Sequence, residues 1–127
     1  MKALTIKQPF ATLIIEGYKK YEFRSWKSSY RGEIYIHAGK SIDQKAMERV
    51  KYLNLSYPTG CIIGKATITD CVIVDENLRQ KLLKENEIVY HNLMTPKEKR
   101  YGFKIEKVEK IKPISAKGKL SFWEYGE

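Results

Sequence analysis

The sequence holds only two cysteines, Cys61 and Cys71, which form no CxxC pair and make no disulfide framework. Both lie in apolar, strand-like runs and read as buried thiols in a reducing, cytoplasmic setting. The two histidines, His37 and His91, give no zinc-ligand spacing with them, so neither a metal nor a cofactor is expected. No apolar run exceeds four residues, which excludes a membrane-spanning helix. The opening MKALTIKQPF has one lysine and no long apolar stretch before Pro9, unlike a secretory leader. The KGK at Lys117–Lys119 lacks the glycine pattern and following helix of a phosphate loop, and no nucleophile elbow is present. No repeat, linker or low-complexity segment divides the 127 residues, so residues 1–127 are expected to form a single domain with its own core.

Acidic residues are the other scarcity. Fifteen Asp and Glu face 24 Lys and Arg, a net charge of +9. Residues 1–63 hold 11 bases and 5 acids, for +6, and the remainder holds 13 and 10, for +3. A surplus of this kind favours polyanions through counterion release, whatever the fold.

Hydrophobic periodicity gives the element order β-α-β-β-α-β-α-β-β. KALTIKQ alternates and stops at Pro9. PFATLIIEG places Phe10, Leu13 and Ile14 on one helical face, with Gly17 as the stop. KYEFRSW and GEIYIHA alternate with period 2. A second helix is expected to open at Ser41, and CIIGKATITDCVIV reads as a long strand with Gly64 as a bend or bulge. DENLRQKLLKENEI is helical, TPKEKR is an exposed connection, and RYGFKIEKVEKIKPI and the end of KGKLSFWEYGE are strands. The absence of a βαβ rhythm argues for an α+β fold built on a small curved sheet or barrel.

The stretch EGYKKYEFRSW, residues 16–26, interleaves charges and aromatics. Strand alternation puts Lys20, Glu22, Arg24 and Trp26 on one face and Tyr21, Phe23 and Ser25 on the other. If this strand pairs with the next, one polar face carries Glu22, Arg24, Trp26, Tyr35 and His37. Trp and Tyr can stack on bases, Arg and Lys can reach phosphates, and Glu22 can read a base or serve as a general base. Lys19 sits at the turn, where it can lean over a cleft mouth. A solvated strand face with a Glu–Arg cross-pair is the plainer alternative. His37 is as readily a hydrogen-bonded structural histidine as an acid or base, and Trp123 reads as a core anchor.

Residues 6–40 resemble the ASCH (activating signal cointegrator 1 homology) family of PUA-like barrels. The G-x-K-x-x-E-x-R hallmark is matched by Gly17, Lys19, Glu22 and Arg24. A QPxAxLI helix precedes it, at Gln8, Pro9, Ala11, Leu13 and Ile14, and an R-G-x-I-x-I-H-A strand follows from Arg31 to Ala38. The resemblance implies a PUA-like barrel of about five or six mainly antiparallel strands with two or three flanking helices. It also implies a cleft beside the first helix that suits RNA or a nucleotide-like ligand. The residues expected around that ligand are Gln8, Lys19, Glu22, Arg24, Trp26, Tyr30, Arg31 and His37. Lys19 and Arg24, with Arg31 from the loop, would contact phosphate or a polarised carbonyl, and Trp26 or Tyr30 would stack. Some small bacterial relatives hydrolyse N4-acetylcytidine with a lysine, a threonine and a glutamate. The lysine maps onto Lys19 and the threonine onto Glu22, a departure from that pattern, while the segment Asp75–Glu87 offers candidates for the third. Other relatives are linked to RNA cleavage. The alternative to a binding module is therefore a small hydrolase or ribonuclease with Lys19 and Glu22 as its reactive pair. A protein-binding adaptor is a third possibility, and the oligomeric state stays open.

Overall fold

A computed structural model describes residues 1–126 of the chain. Six strands and three helices follow one another in the expected order. They are β1 (Lys2–Gln8), α1 (Phe10–Ile15), β2 (Tyr21–Arg24), β3 (Gly32–Ile42), α2 (Gln44–Val50), β4 (Cys61–Ile73), α3 (Glu76–Glu85), β5 (Tyr101–Ser115) and β6 (Phe122–Glu124). The second helix opens later than Ser41. Ser41 and Ile42 end β3, and Asp43 caps α2 by accepting from the Ala46 amide at 3.0 Å.

The strands form one sheet in the order β2-β5-β4-β3-β1-β6. It is mixed, because β1 runs parallel to β3 while the other pairings are antiparallel. The parallel pair follows from α1, which lets the chain cross between β1 and its neighbour instead of turning back in a hairpin. Strand β2 pairs with β5 and not with β3, so the polar face expected from a β2–β3 pair does not form.

The sheet curls strongly. Four strand spacings of about 4.8 Å, roughly 19 Å in a flat sheet, separate β2 from β1. No arginine spans that distance, yet Arg24 Nη2 on β2 donates to the Thr5 carbonyl on β1 at 2.7 Å. Beyond β2, Trp26 meets Phe122 of β6 edge to face at 5.6 Å. Side chains therefore bridge the two ends of the sheet. Backbone bonding does not complete a barrel: among the described residues no ladder joins β2 to β6, and the two strands are only four and three residues long.

Helix α1 lies between two apolar clusters. Ile14 belongs to the cluster built on Leu4, Ile34, Ile36 and Phe103, and Leu13 to one with Val50, Leu82 and Tyr90. A helix buried all round has no polar face, which explains why Ala11 through Ile15 are all buried rather than one stripe of them. Close seating needs Gly64. A Cβ there would stand 2.4 Å from Ile15 Cδ1 and 2.7 Å from the Glu109 carbonyl, and β4 shifts register at this point. Gly64→Ala should therefore destabilise the fold by about 1–3 kcal/mol through overpacking, read as a lower urea midpoint with an unchanged slope; an unchanged midpoint would contradict this seating of α1.

Candidate functional site

The spacing of Gly17, Lys19, Glu22 and Arg24 has a local cause. Gly17 takes φ +86° and ends α1. The Tyr18 amide bonds the Leu13 carbonyl at 2.9 Å and the Gly17 amide bonds that of Ile14 at 3.1 Å, the Schellman pattern. The Lys19 amide also reaches the Leu13 carbonyl, at 3.1 Å, so the chain reverses tightly and turns this side chain inward. Three residues later β2 has begun, and its period of 2 puts Glu22 and Arg24 on one face.

Lys19 is 4% exposed. Its ammonium lies 4.6 Å from the Phe23 ring centre and 5.4 Å from that of Phe10, and donates to the Tyr21 carbonyl and to Glu22 Oε1 at 3.3 Å. Glu22 Oε2 accepts from Arg24 Nε at 3.0 Å and lies 2.9 Å from Nη2. Both carboxylate oxygens are thus engaged, and Arg24 is tied onward to Thr5. Burial depresses the Lys19 pKa; the Glu22 charge and hydrogen bond oppose that, and Arg24 adds to it. The trio carries one positive charge more than it balances.

These residues floor a cleft of about 580 Å³, a size typical of small-ligand sites. Seven of its 19 lining residues are Lys or Arg, and Glu22 and Asp43 are its acids. Asp43 is engaged in capping α2. One wall comes from β1 and β3, with Lys7 and Lys40; another comes from residues 89–100. Tyr90 on that wall accepts from the Lys20 amide at 2.8 Å, and burial pushes its phenol up to about 12.

Of the residues expected around a ligand, Lys19, Glu22 and Arg24 come together in the cleft; the other five do not line it. Gln8 is buried and structural: its Nε2 donates to Thr12 Oγ1 and the Pro58 carbonyl, both at 2.8 Å, and its Oε1 accepts from the Thr12 amide at 3.0 Å. It satisfies the start of α1, where Pro9 offers no capping side chain. His37 is 2% exposed. Its Nε2 donates to the Ala116 carbonyl at 2.7 Å, and its Nδ1 shares a hydrogen bond with the Thr5 hydroxyl at 3.1 Å, so both ring nitrogens are engaged. Trp123, buried beside it, donates to the same hydroxyl at 3.0 Å. Trp26 and Tyr30 pack against Phe122, and Trp26 also against Phe103. Arg31 lies 3.7 Å from Asp70, outside the cleft. Lys7, Lys40 and the basic residues of the 97–100 segment went unnoticed in the sequence; the clustering in KEKR was the available signal.

The ASCH domain family matches the chain over residues 4–112. The chain is 34% identical over 95 residues to activating signal cointegrator 1 of Homo sapiens, an alignment covering 65% of this chain and 15% of that protein. It is 32% identical over 82 residues to the Mus musculus protein, covering 54% and 14%. It therefore spans a small part of these relatives. The crystal structure of ASCH from Zymomonas mobilis superposes with a TM-score of 0.59 at 20% identity, over 90% of this chain and 72% of that one. A single-residue variant of that protein gives 0.58 at 21%, over 90% and 74%. No helix among the described residues is long and apolar enough to cross a membrane.

Because Glu22 balances a buried ammonium, Glu22→Gln should cost about 3 kcal/mol of stability, measured by urea unfolding. Adding Lys19→Met to it should return part of that loss. A double variant less stable than Glu22→Gln alone would contradict the pairing.

Proposed function

The chain belongs to the ASCH domain family, and from that premise we propose that it binds RNA, holding a nucleotide of the strand in the cleft floored by Lys19, Glu22 and Arg24. The observation that carries this reading is the charge of the cleft. Its lining bases exceed its acids by five, more than half of the chain's net charge of +9. A phosphodiester supplies the missing negative charge, while Phe10, Phe23 and the apolar wall offer surface to a base. Both Glu22 oxygens are tied to neighbouring cations, Lys19 and Arg24, an anchoring role that supports binding over catalysis.

A second reading, hydrolysis of a modified nucleoside or of RNA, rests on Lys19. A buried amine with a depressed pKa at a cleft floor suits a proton-transfer or nucleophilic role. Incubation with a panel of modified nucleosides and short RNA, followed by mass spectrometry, separates the two. A product mass that vanishes in Lys19→Ala would establish the enzyme.

For binding, fluorescence anisotropy with a short single-stranded RNA should show affinity falling between about 50 and 200 mM KCl. Lys7→Gln combined with Lys40→Gln should reduce the slope of log K against log salt by about 1.4, two phosphate contacts at ~0.7 each for a single strand. A slope unchanged in this pair and in Arg24→Ala would refute the cleft as the RNA site.

A further inference from the structure

The wall formed by residues 89–100 contains a charged group that the protein leaves without a counter-charge. Arg100 ends the TPKEKR connection and is 8% exposed, whereas its neighbours Lys97 to Lys99 are exposed. Among the described residues no carboxylate pairs with it. Its Nη2 makes two long bonds, to the Thr95 carbonyl at 3.3 Å and the Asn92 carbonyl at 3.4 Å, and its other guanidinium groups have no protein acceptor there. The nearby guanidinium of Arg79 is already held by Glu76 at 2.9 Å and by the Leu93 carbonyl at 2.7 Å. Burial first, and then the Arg79 charge, depress the Arg100 pKa.

A buried arginine without a carboxylate is costly. Two long carbonyl bonds offset little of that cost, and the remaining guanidinium nitrogens are not sealed from solvent but open toward the cleft. The side chain lines the cleft, with Lys97 and Lys99 beside it. A planar guanidinium with free donors matches two oxygens of a phosphate, and lysines at the rim add charge without fixing geometry.

We propose that Arg100, with Lys97 and Lys99, forms an anion subsite on the wall of the cleft, so that the ligand carries a phosphate and is not a neutral nucleoside. This rests on the nucleic-acid reading for the identity of the phosphate and on Arg100 alone for its place. It sets the subsite apart from the Lys19, Glu22 and Arg24 floor, where the arginine is already paired.

Two measurements test it. In the first, inorganic pyrophosphate is titrated into 15N-labelled protein and the side-chain Nε–H signal of Arg100 is followed by NMR. A saturable shift is expected; a signal unmoved at saturating pyrophosphate overturns the subsite, and this arm needs no folded variant. In the second, RNA anisotropy is repeated with Arg100→Gln and Arg100→Lys. Arg100→Gln should weaken binding about tenfold or more and lower the salt slope by ~0.7, while Arg100→Lys should restore the slope but not all the affinity. A folded Arg100→Gln with unchanged affinity and slope also overturns the subsite and leaves the RNA reading standing. Wild-type protein that binds no RNA, but whose Arg100 signal moves with pyrophosphate, overturns the RNA reading and leaves the subsite.

Discussion

The fold around the cleft depends on keeping one ammonium charged away from water. Lys19 is turned inward by the tight reversal after Gly17, and an ammonium so placed needs a counter-charge within reach. Glu22 supplies it from the start of strand β2, which follows. Glu22 in turn holds Arg24, and Arg24 reaches across to the Thr5 carbonyl. That last bond ties the edge strand β2 to β1, the strand next to the opposite edge of the curled six-stranded sheet, so the same side chains that floor the cleft also help to shape it. Thr5 continues the chain on the other side, its hydroxyl joining His37 and Trp123 beneath the closing segment.

A floor bound this tightly is preorganised. Its side chains have little freedom left to lose when a ligand arrives, which favours affinity. It is also nearly saturated with internal bonds, so the groups free to meet an anion are those on the walls: Lys7 and Lys40 on one, the 97–100 segment on the other. In the proposed binding mode the charge trio sets the field of the cleft and the walls make the contacts. The G-x-K-x-x-E-x-R spacing follows from folding chemistry: a glycine for the left-handed turn, a lysine turned in, and two strand residues on one face.

Much of this was legible in the sequence. Period-2 runs, helical spacing, Pro9 and Gly17 gave the order of elements because each signal is local. Gly64 reads from the sequence as a bend or bulge in its strand, and the close approach of Ile15 is the reason a glycine stands there. Pairing was not legible. The neighbour of β2 is β5, some eighty residues on, and no local pattern encodes that choice. Alternation told which residues share a face but not what covers that face. His37 lies on an outward position of β3, yet the segment around Ala116 and Gly118 and the Trp123 ring bury it. Trp26 and Tyr30 looked free to stack on a ligand and instead pack against Phe122. Arg100 hid inside a basic connection whose other members are exposed.

The most direct test of the account is an amide chemical-shift map of 15N-labelled protein titrated with a short single-stranded RNA. RNA seated in the cleft should give perturbations concentrated at residues 5–7, 19–25, 39–43 and 89–100, the stretches that line it. Perturbations centred instead on residues 27–31 and the neighbouring ends of β4 and β5, with the cleft silent, would contradict it.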